Sequence, residues 1–114
     1  MNHPLVGMWQ LVRIEREGES AGGSGPSPKG ALVYGEQGWM SESLLLPAEG
    51  GGTRTVIYCG TYEIRGDQVI HQPLFHLDNS QVGLDLPRGF EVAEDGQSFV
   101  LIVGGGRLHW ERVK

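Results

Sequence analysis

The chain has 114 residues, enough for one compact domain, and carries a formal net charge of −5 at pH 7. This acidic balance argues against a nucleic-acid partner and against an anionic membrane surface. A single cysteine, Cys59, excludes an internal disulfide and a paired-cysteine metal or redox site. No opening apolar stretch resembles a signal peptide and no apolar run reaches bilayer length, so we expect a cytoplasmic protein without a membrane partner.

Eight strand-like segments follow one another along the chain. Short connectors with Gly or Asp, at residues 36–38, 66–67, 94–96 and 104–106, are typical of β-hairpins, which make neighbouring strands antiparallel. Eight strands joined in this way can close on themselves and so remove exposed edges. We therefore predict an all-β fold, an eight-stranded antiparallel up-and-down β-barrel. It forms a single domain over residues 1–114. The predicted strands lie near 6–16, 30–35, 38–45, 54–65, 68–77, 86–93, 97–103 and 107–113.

Two stretches do not fit a strand. Residues 17–29 hold no apolar side chain beyond Ala21, and residues 46–53 form a second Gly-rich segment. Both join an odd-numbered strand to the next one, so a meander brings them to the same end of the barrel. We expect either slack surface loops or the entrance to a cavity.

The first strand gives the first expectation about side-chain direction. Side chains alternate between the two faces of a strand. If Trp9 points inward, Arg13 and Glu15 do too, whereas Val12 and Ile14 face outward. Arg13 and Glu15 are then either a pair at the mouth of the barrel or, if the strand has left the barrel by that point, two solvated charges.

The later strands present aromatic and polar side chains together. Tyr58, Gly60 and Tyr62 share one face of the fourth strand, and the absent side chain of Gly60 is expected to leave space opposite the aromatic rings. Imidazole and guanidinium groups on the next strands would interrupt an otherwise apolar interior. We predict that the interior surface contacting a ligand consists of Tyr34, Met40, Tyr58, Tyr62, His71, Arg88, Phe90 and Trp110.

A set of short motifs carries a resemblance to a known family. Gly7-Met8-Trp9 matches the GxW opening of lipocalin-like barrels, and further matches cover nearly the whole chain in the expected order. The chain thereby resembles the bacterial and fungal lipocalin-like domain family, small barrels of the calycin type. The other matching segments are Gly30-Ala31-Leu32-Val33-Tyr34, Gly38-Trp39-Met40-Ser41, Tyr58-Cys59-Gly60-Thr61-Tyr62, Val69-Ile70-His71, Arg88 and Leu108-His109-Trp110-Glu111-Arg112.

The resemblance implies a small antiparallel barrel around a central cavity, with Trp9 plugging the closed end and Arg112 packing over its ring. It implies no single activity, since such barrels include carriers of apolar molecules as well as cyclases and isomerases of natural-product pathways. The chain departs from the family in two places. The segment between the third and fourth strands is a Gly-rich linker, and Gln72 stands where a second histidine often follows His71.

Two functional hypotheses follow, and neither needs a cofactor. The first is a barrel that binds a small, partly apolar molecule, acidic or carbonyl-bearing, in its lumen. The second is a cofactor-free isomerase, cyclase or lyase with His71 as acid or base and with Arg88 and Tyr62 as partners of a developing oxyanion. The same residues are also compatible with a barrel filled by its own side chains, or with an interaction module, including a homodimer, that pairs through outer faces carrying Val12, Ile14 and Cys59.

Metal binding is disfavoured by the spacing of the histidines. His71 and His76 are five residues apart, so they fall on opposite faces of a regular strand, and His109 is expected to point outward beside Trp110. No carboxylate completes a ligand set at suitable spacing. We therefore predict no metal site.

Overall fold

The computed structural model describes residues 3–16, 28–47 and 50–113. Each strand lies antiparallel to the next, and β8 pairs with β1, so the sheet is a closed barrel in up-and-down order. This confirms the predicted fold class. The strands are β1 Gly7–Arg16, β2 Lys29–Tyr34, β3 Trp39–Pro47, β4 Thr53–Arg65, β5 Gln68–His76, β6 Leu86–Val92, β7 Ser98–Val103 and β8 Gly106–Arg112, with one 3₁₀ turn at Asn79–Gln81.

The structure describes most of one predicted loop and little of the other. The stretch 17–29 lies outside the described residues apart from its last two positions, and Lys29 already belongs to β2. The second loop is shorter than predicted, because β3 continues to Pro47 and β4 begins at Thr53. Within the described part of the chain, no helix is long and apolar enough to cross a membrane.

A bulge in β1 changes which of its side chains face the interior. The register with β8 shifts between Leu11 and Arg13, so Val12 is an extra residue in the ladder. Leu11 is buried, Val12 and Arg13 are exposed, and Ile14 is partly buried against the core. The expectation that Ile14 points outward was therefore wrong, because the bulge reverses the alternation. Of the two alternatives for Arg13 and Glu15, the structure bears out the solvated charges, although β1 stays paired with β8 at these positions. The two side chains form an exposed ion pair at 3.3 Å.

A second bulge lies in β5, opposite the glycine of β4. The register shifts between Cys59, which is opposite Phe75, and Gly60, which is opposite Pro73, so Leu74 is the extra residue. A Cβ at Gly60 would collide with the Gln72 carbonyl oxygen and lie 2.8 Å from the Leu74 amide nitrogen. The prediction that Gly60 leaves space opposite the aromatic rings was therefore wrong. The backbone of the neighbouring strand fills that position.

The same bulge returns His76 to the interior. Its ring stacks on Tyr58 with centroids 4.8 Å apart and planes inclined by 6°. His71 and His76 consequently both point inward, and the prediction of opposite faces fails because β5 is not a regular strand.

One half of the barrel is filled by side chains. The closed half of the barrel is the half towards the end where β2, β4, β6 and β8 finish. The open half is the half towards the opposite end, where β1, β3, β5 and β7 finish. The closed half contains a continuous apolar core of fully or almost fully buried side chains, which are Leu5, Trp9, Leu32, Tyr34, Val69, Phe99, Leu101 and Trp110.

Trp9 and Arg112 meet at the base of the closed half. The Trp9 indole is completely buried and donates from Nε1 to the Leu5 carbonyl at 2.9 Å. The guanidinium of Arg112 lies 4.2 Å from the centroid of the indole and donates to the carbonyls of Val6 and Pro4 at 2.9 and 2.8 Å. Burial of the ring is thus combined with a cation–π contact.

Gly7 makes room for this contact at the start of β1. Its φ is +135°, a backbone conformation that side-chain-bearing residues rarely adopt. The guanidinium of Arg112 also occupies the position that a Cβ would take there. The backbone conformation therefore favours glycine at this position, and a side chain there would also have to displace the guanidinium from its place beside Trp9.

Candidate functional site

The open half contains a cavity of about 860 Å³. It is surrounded by the ends of β1, β3, β5 and β7, and it extends inward to the middle of the barrel. The two predicted loops depart from β1 and β3 at this end. Most of its wall is apolar, and a few charged groups stand at two levels of it. The apolar lining residues are Ile14, Leu44, Leu46, Val56, Leu77, Leu86, Val103 and Leu108.

Two arginines and one aspartate mark the outer level of the cavity. Arg16 on β1, Arg54 on β4 and Asp78 after β5 line the rim, and all three are exposed residues. Arg16 faces the cavity because the bulge at Val12 has moved the even-numbered residues of β1 inward. A strand without the bulge would have placed Arg16 on the outer surface.

Three polar side chains stand together at the inner level: Glu42 of β3, Tyr58 of β4 and Arg88 of β6. Glu42 is directly opposite Tyr58 in the β3–β4 ladder. Glu42 is only 4% exposed, which is exceptional for a carboxylate.

Sequence reasoning missed Glu42, although a signal was present. Met40, Leu44 and Leu46 alternate with residues of the other face, and Glu42 falls in register with these apolar positions. A charged residue in an inward series predicts a buried polar contact or a functional group. The signal is weak because serines flank Glu42 at positions 41 and 43, so the segment has three consecutive polar residues and resembles an exposed stretch.

Behind Tyr58 lies a fully enclosed histidine. The Tyr58 hydroxyl is 2.6 Å from Nδ1 of His71, and the Tyr34 hydroxyl is 2.6 Å from Nε2. Burial, with a smaller contribution from the charge of Arg88, lowers the pKa of His71 to about 3. The imidazole is therefore neutral at neutral pH, with one nitrogen donating and the other accepting.

His71 connects two tyrosines on opposite sides of its ring. Because a neutral imidazole carries one N–H and one bare nitrogen, one of the two hydroxyls donates to the ring and the other accepts from it. Both ring nitrogens thus have a partner, which a buried network requires. Tyr58 also lies directly opposite Glu42 in the β3–β4 ladder, so the histidine holds the tyrosine that stands beside the inner carboxylate.

Opposing effects act on the inner carboxylate. Burial raises the pKa of Glu42, although the neighbouring Tyr58 hydroxyl and the positive charge of Arg88 act in the other direction and reduce this rise. Burial, followed by the charge of Glu42, raises the pKa of both Tyr34 and Tyr58, so both phenols keep their protons. Among the described residues, Oε2 of Glu42 has no hydrogen-bond partner.

The predicted ligand-contacting residues divide between the two halves. Tyr58 and Arg88 line the cavity. The other six lie outside its lining and pack in or beside the closed half, where large rings leave no free volume: Tyr34, Met40, Tyr62, His71, Phe90 and Trp110.

The three residues predicted to act in catalysis do not converge on one point of the cavity. Arg88 lines it, His71 is separated from it by Tyr58, and the Tyr62 hydroxyl donates to the Gly35 carbonyl at 2.7 Å at the closed end. Both nitrogens of His71 are already engaged by tyrosines. The barrel thus uses its histidine to position Tyr58.

The histidines do not assemble a metal site in the regions that the structure covers. Over residues 3–16, 28–47 and 50–113, no group of three or more His, Cys, Asp or Glu side chains is placed to hold an ion. His109 instead pairs with Glu15 on the outer surface.

The sequence was also compared with known proteins. No protein-family model matches the chain, and no curated protein matches it either. The closed eight-stranded up-and-down barrel is compatible with a calycin-like fold.

Proposed function

We propose that this protein is a lipocalin-like barrel that binds a small, partly apolar acid in the cavity of its open half. The up-and-down barrel, the ordered motifs along the chain and the contact of Arg112 with Trp9 support the family assignment. The cavity falls within the range of about 300–1,000 Å³ typical of small-molecule sites. An apolar wall with a few localised charges favours a ligand that is itself amphipathic.

The charge of the rim carries the proposal. Arg16 and Arg54 have no ion-pair partner within 4 Å in the described part of the chain, whereas Arg13 and Arg107 on the outer surface pair with Glu15 and Glu91. A protein with a net charge of −5 thus holds two arginines without an ion-pair partner among the described residues at the mouth of its cavity, where the carboxylate of Asp78 already accepts hydrogen bonds from Ser80. Such groups attract and orient an anion.

The isomerase or cyclase hypothesis receives less support from the geometry. A general acid or base must reach the proton that it transfers, directly or through one water molecule. His71 lies behind Tyr58 with both nitrogens occupied, and its lowered pKa keeps it neutral. The proposal is therefore binding without chemical conversion.

Titration with anilinonaphthalene sulfonate, a fluorescent apolar anion, tests the proposal, followed by displacement of the dye with decanoate. We expect saturable binding and displacement by decanoate. Replacing both rim cations (Arg16→Gln with Arg54→Gln) is expected to weaken binding about tenfold, because each charge-assisted contact at an exposed site contributes about 0.2–1 kcal/mol or somewhat more.

The matched control replaces Arg13 and Arg107 by Gln, which removes the same charge from the outer surface. This control should bind the dye as the wild type does. An equal loss in both double variants, or no displaceable binding to the wild type, would contradict a binding site in the cavity.

A further inference from the structure

Resting on the proposed function, we propose that the inner end of the cavity selects ligands that carry a hydroxyl group at the end remote from their acid, and that Glu42 accepts its hydrogen bond. The ligand class is then a hydroxylated, partly apolar acid. Its acid group lies at the rim beside Arg16 and Arg54, and its hydroxyl lies beside Glu42, Tyr58 and Arg88.

Glu42 has unused acceptor capacity. A carboxylate offers about four acceptor positions. Oε2 has no partner among the described residues, although Glu42 lines the cavity and is only 4% exposed. An unsatisfied buried polar atom in a folded protein calls for an explanation, and a ligand donor reaching this lining residue provides one.

The tyrosine beside Glu42 is engaged on its far side. The Tyr58 hydroxyl lies 2.6 Å from Nδ1 of His71, so part of its hydrogen-bonding capacity is taken up behind the cavity wall. The group with unused capacity at the inner end of the cavity is therefore the carboxylate of Glu42. The polar group that fits against a carboxylate is one that donates.

Charge is balanced at the inner end of the cavity. Arg88 and Glu42 both line this part of the cavity, and the charge of Arg88 favours the ionised form of Glu42, so one cation and one anion offset each other there. A second anion at this depth would face the carboxylate of Glu42 in a low-dielectric environment. A hydroxyl, by contrast, donates to Glu42 and accepts from Arg88 without adding charge.

The spacing of the two levels sets the length of the ligand. In the β3–β4 ladder Arg54 is opposite Leu46, and Tyr58 is opposite Glu42. Four residues along a strand span about 13 Å. The side chains of both levels reach into the cavity, so the distance between their charged or polar ends is shorter than this backbone distance. It matches the length of a molecule such as a phenylpropanoate.

Isothermal titration calorimetry with two isosteric probes tests this selectivity. One probe is para-hydroxyphenylpropanoate, and the other is para-methylphenylpropanoate, in which a methyl group replaces the hydroxyl. We expect the wild type to bind the hydroxylated probe about tenfold more tightly or better, since a hydrogen bond to a desolvated carboxylate is worth more than one between neutral groups. This preference should fall to within about threefold in Glu42→Leu, which removes the acceptor.

Matched variants keep the result interpretable. Glu91→Leu removes a carboxylate from the outer face of β6 and should keep the wild-type preference. If Glu42→Leu does not fold, Glu42→Gln preserves the shape and should show a reduced preference, because an amide is a weaker acceptor than a carboxylate.

The possible outcomes separate the hydroxyl selectivity from acid binding itself. Equal affinity of the wild type for the two probes overturns the hydroxyl selectivity and leaves acid binding in place. A preference that persists unchanged in Glu42→Leu, or in Glu42→Gln where only that variant folds, overturns the assignment to Glu42. Failure of both probes to bind overturns the proposed function and this inference together.

Discussion

The two halves of this barrel are built from the same eight strands but use their inward positions differently. In the closed half those positions carry large rings and branched chains, including Trp9, Phe99 and Trp110, and they fill the lumen. In the open half they carry Ile, Leu and Val around a volume of about 860 Å³, with charged groups at its rim and floor. An eight-stranded barrel is just wide enough for either solution, so side-chain size decides between them.

Under the proposed function, stability and ligand binding are accordingly concentrated in different halves. A filled core of aromatics gains the burial energy that holds the barrel together. The hollow half gives up part of that energy and places Glu42, whose Oε2 has no partner among the described residues, where a ligand can contact it. Substitutions of the same kind should therefore have different consequences in the two halves.

The greatest loss of stability should come from the base of the closed half. Trp9→Ala removes a completely buried indole together with its hydrogen bond and its contact with Arg112, and should lower the free energy of unfolding by about 3–5 kcal/mol. Urea denaturation followed by far-UV circular dichroism measures it. Trp39→Ala is the matched control, because Trp39 is 57% exposed, and it should change stability by less than about 1 kcal/mol. Equal losses would show that Trp9 is not part of a packed core.

The next effect concerns the bulge between β4 and β5. Gly60→Ala should destabilise the barrel by about 1–3 kcal/mol, because the added methyl group would collide with backbone atoms of Gln72 and Leu74 that cannot move independently. Gly89→Ala adds the same methyl group where the nearest atom, Cδ1 of Ile102, is 3.4 Å away, and should be tolerated. Chemical denaturation of both variants provides the comparison, and a neutral Gly60→Ala would contradict the bulge.

The pH dependence of stability tests the enclosed histidine. The pKa of His71 is about 3 in the folded protein and about 6.5 when unfolded, so the unfolded chain binds more protons between these values. Stability from this group is therefore complete above the unfolded pKa and is lost as the pH falls from about 6.5 towards about 3, at up to about 1.4 kcal/mol per pH unit. The raised pKa of Glu42 acts with the opposite sign, because the folded state then binds the extra proton.

Comparison with His71→Gln isolates the histidine from that opposing effect. Denaturation midpoints of the two proteins, measured at several pH values in this window, should show a steeper dependence in the wild type. His109→Gln on the outer surface is the control. The same flattening in His109→Gln would contradict the assignment of the slope to His71.

A smaller difference in stability is expected when a leucine is replaced by alanine in each of the two halves. Leu32 is completely buried in the closed half, whereas Leu44 borders the cavity. Leu32→Ala should cost about 1–2 kcal/mol more than Leu44→Ala, because truncation beside an existing cavity forfeits fewer contacts than truncation in a dense core. Urea denaturation of the two variants measures this difference. Equal costs would mean that the open half is as densely packed as the closed one.

Particular residues show how far the sequence predicts this architecture. Hairpin connectors such as Gly66-Asp67 and regular alternation within each strand predict eight strands and their order, because both signals are local. Position Gly60 also carried a local signal, since a glycine inside a strand often marks a bulge, but its meaning depends on the neighbouring strand.

The site was harder to predict than the fold because it depends on register. The bulges at Val12 and Leu74 reverse the alternation beyond them and thereby bring Ile14, Arg16 and His76 to the cavity. Neither bulge residue is distinctive in sequence, since both are ordinary aliphatic residues whose extra position is visible only against the partner strand. Glu42, in contrast, was predictable from its place in an otherwise apolar inward series.

Ligands should enter the open half of the barrel and leave the closed half unchanged. Amide chemical shifts of isotope-labelled protein, followed during titration with decanoate, measure this for each residue separately. We predict shifts concentrated at residues that line the cavity, such as Leu44, Val56 and Leu108, with Leu32 and Leu101 unaffected. Shifts confined to the outer faces of the strands, or none at saturating decanoate, would contradict a ligand site in the open half.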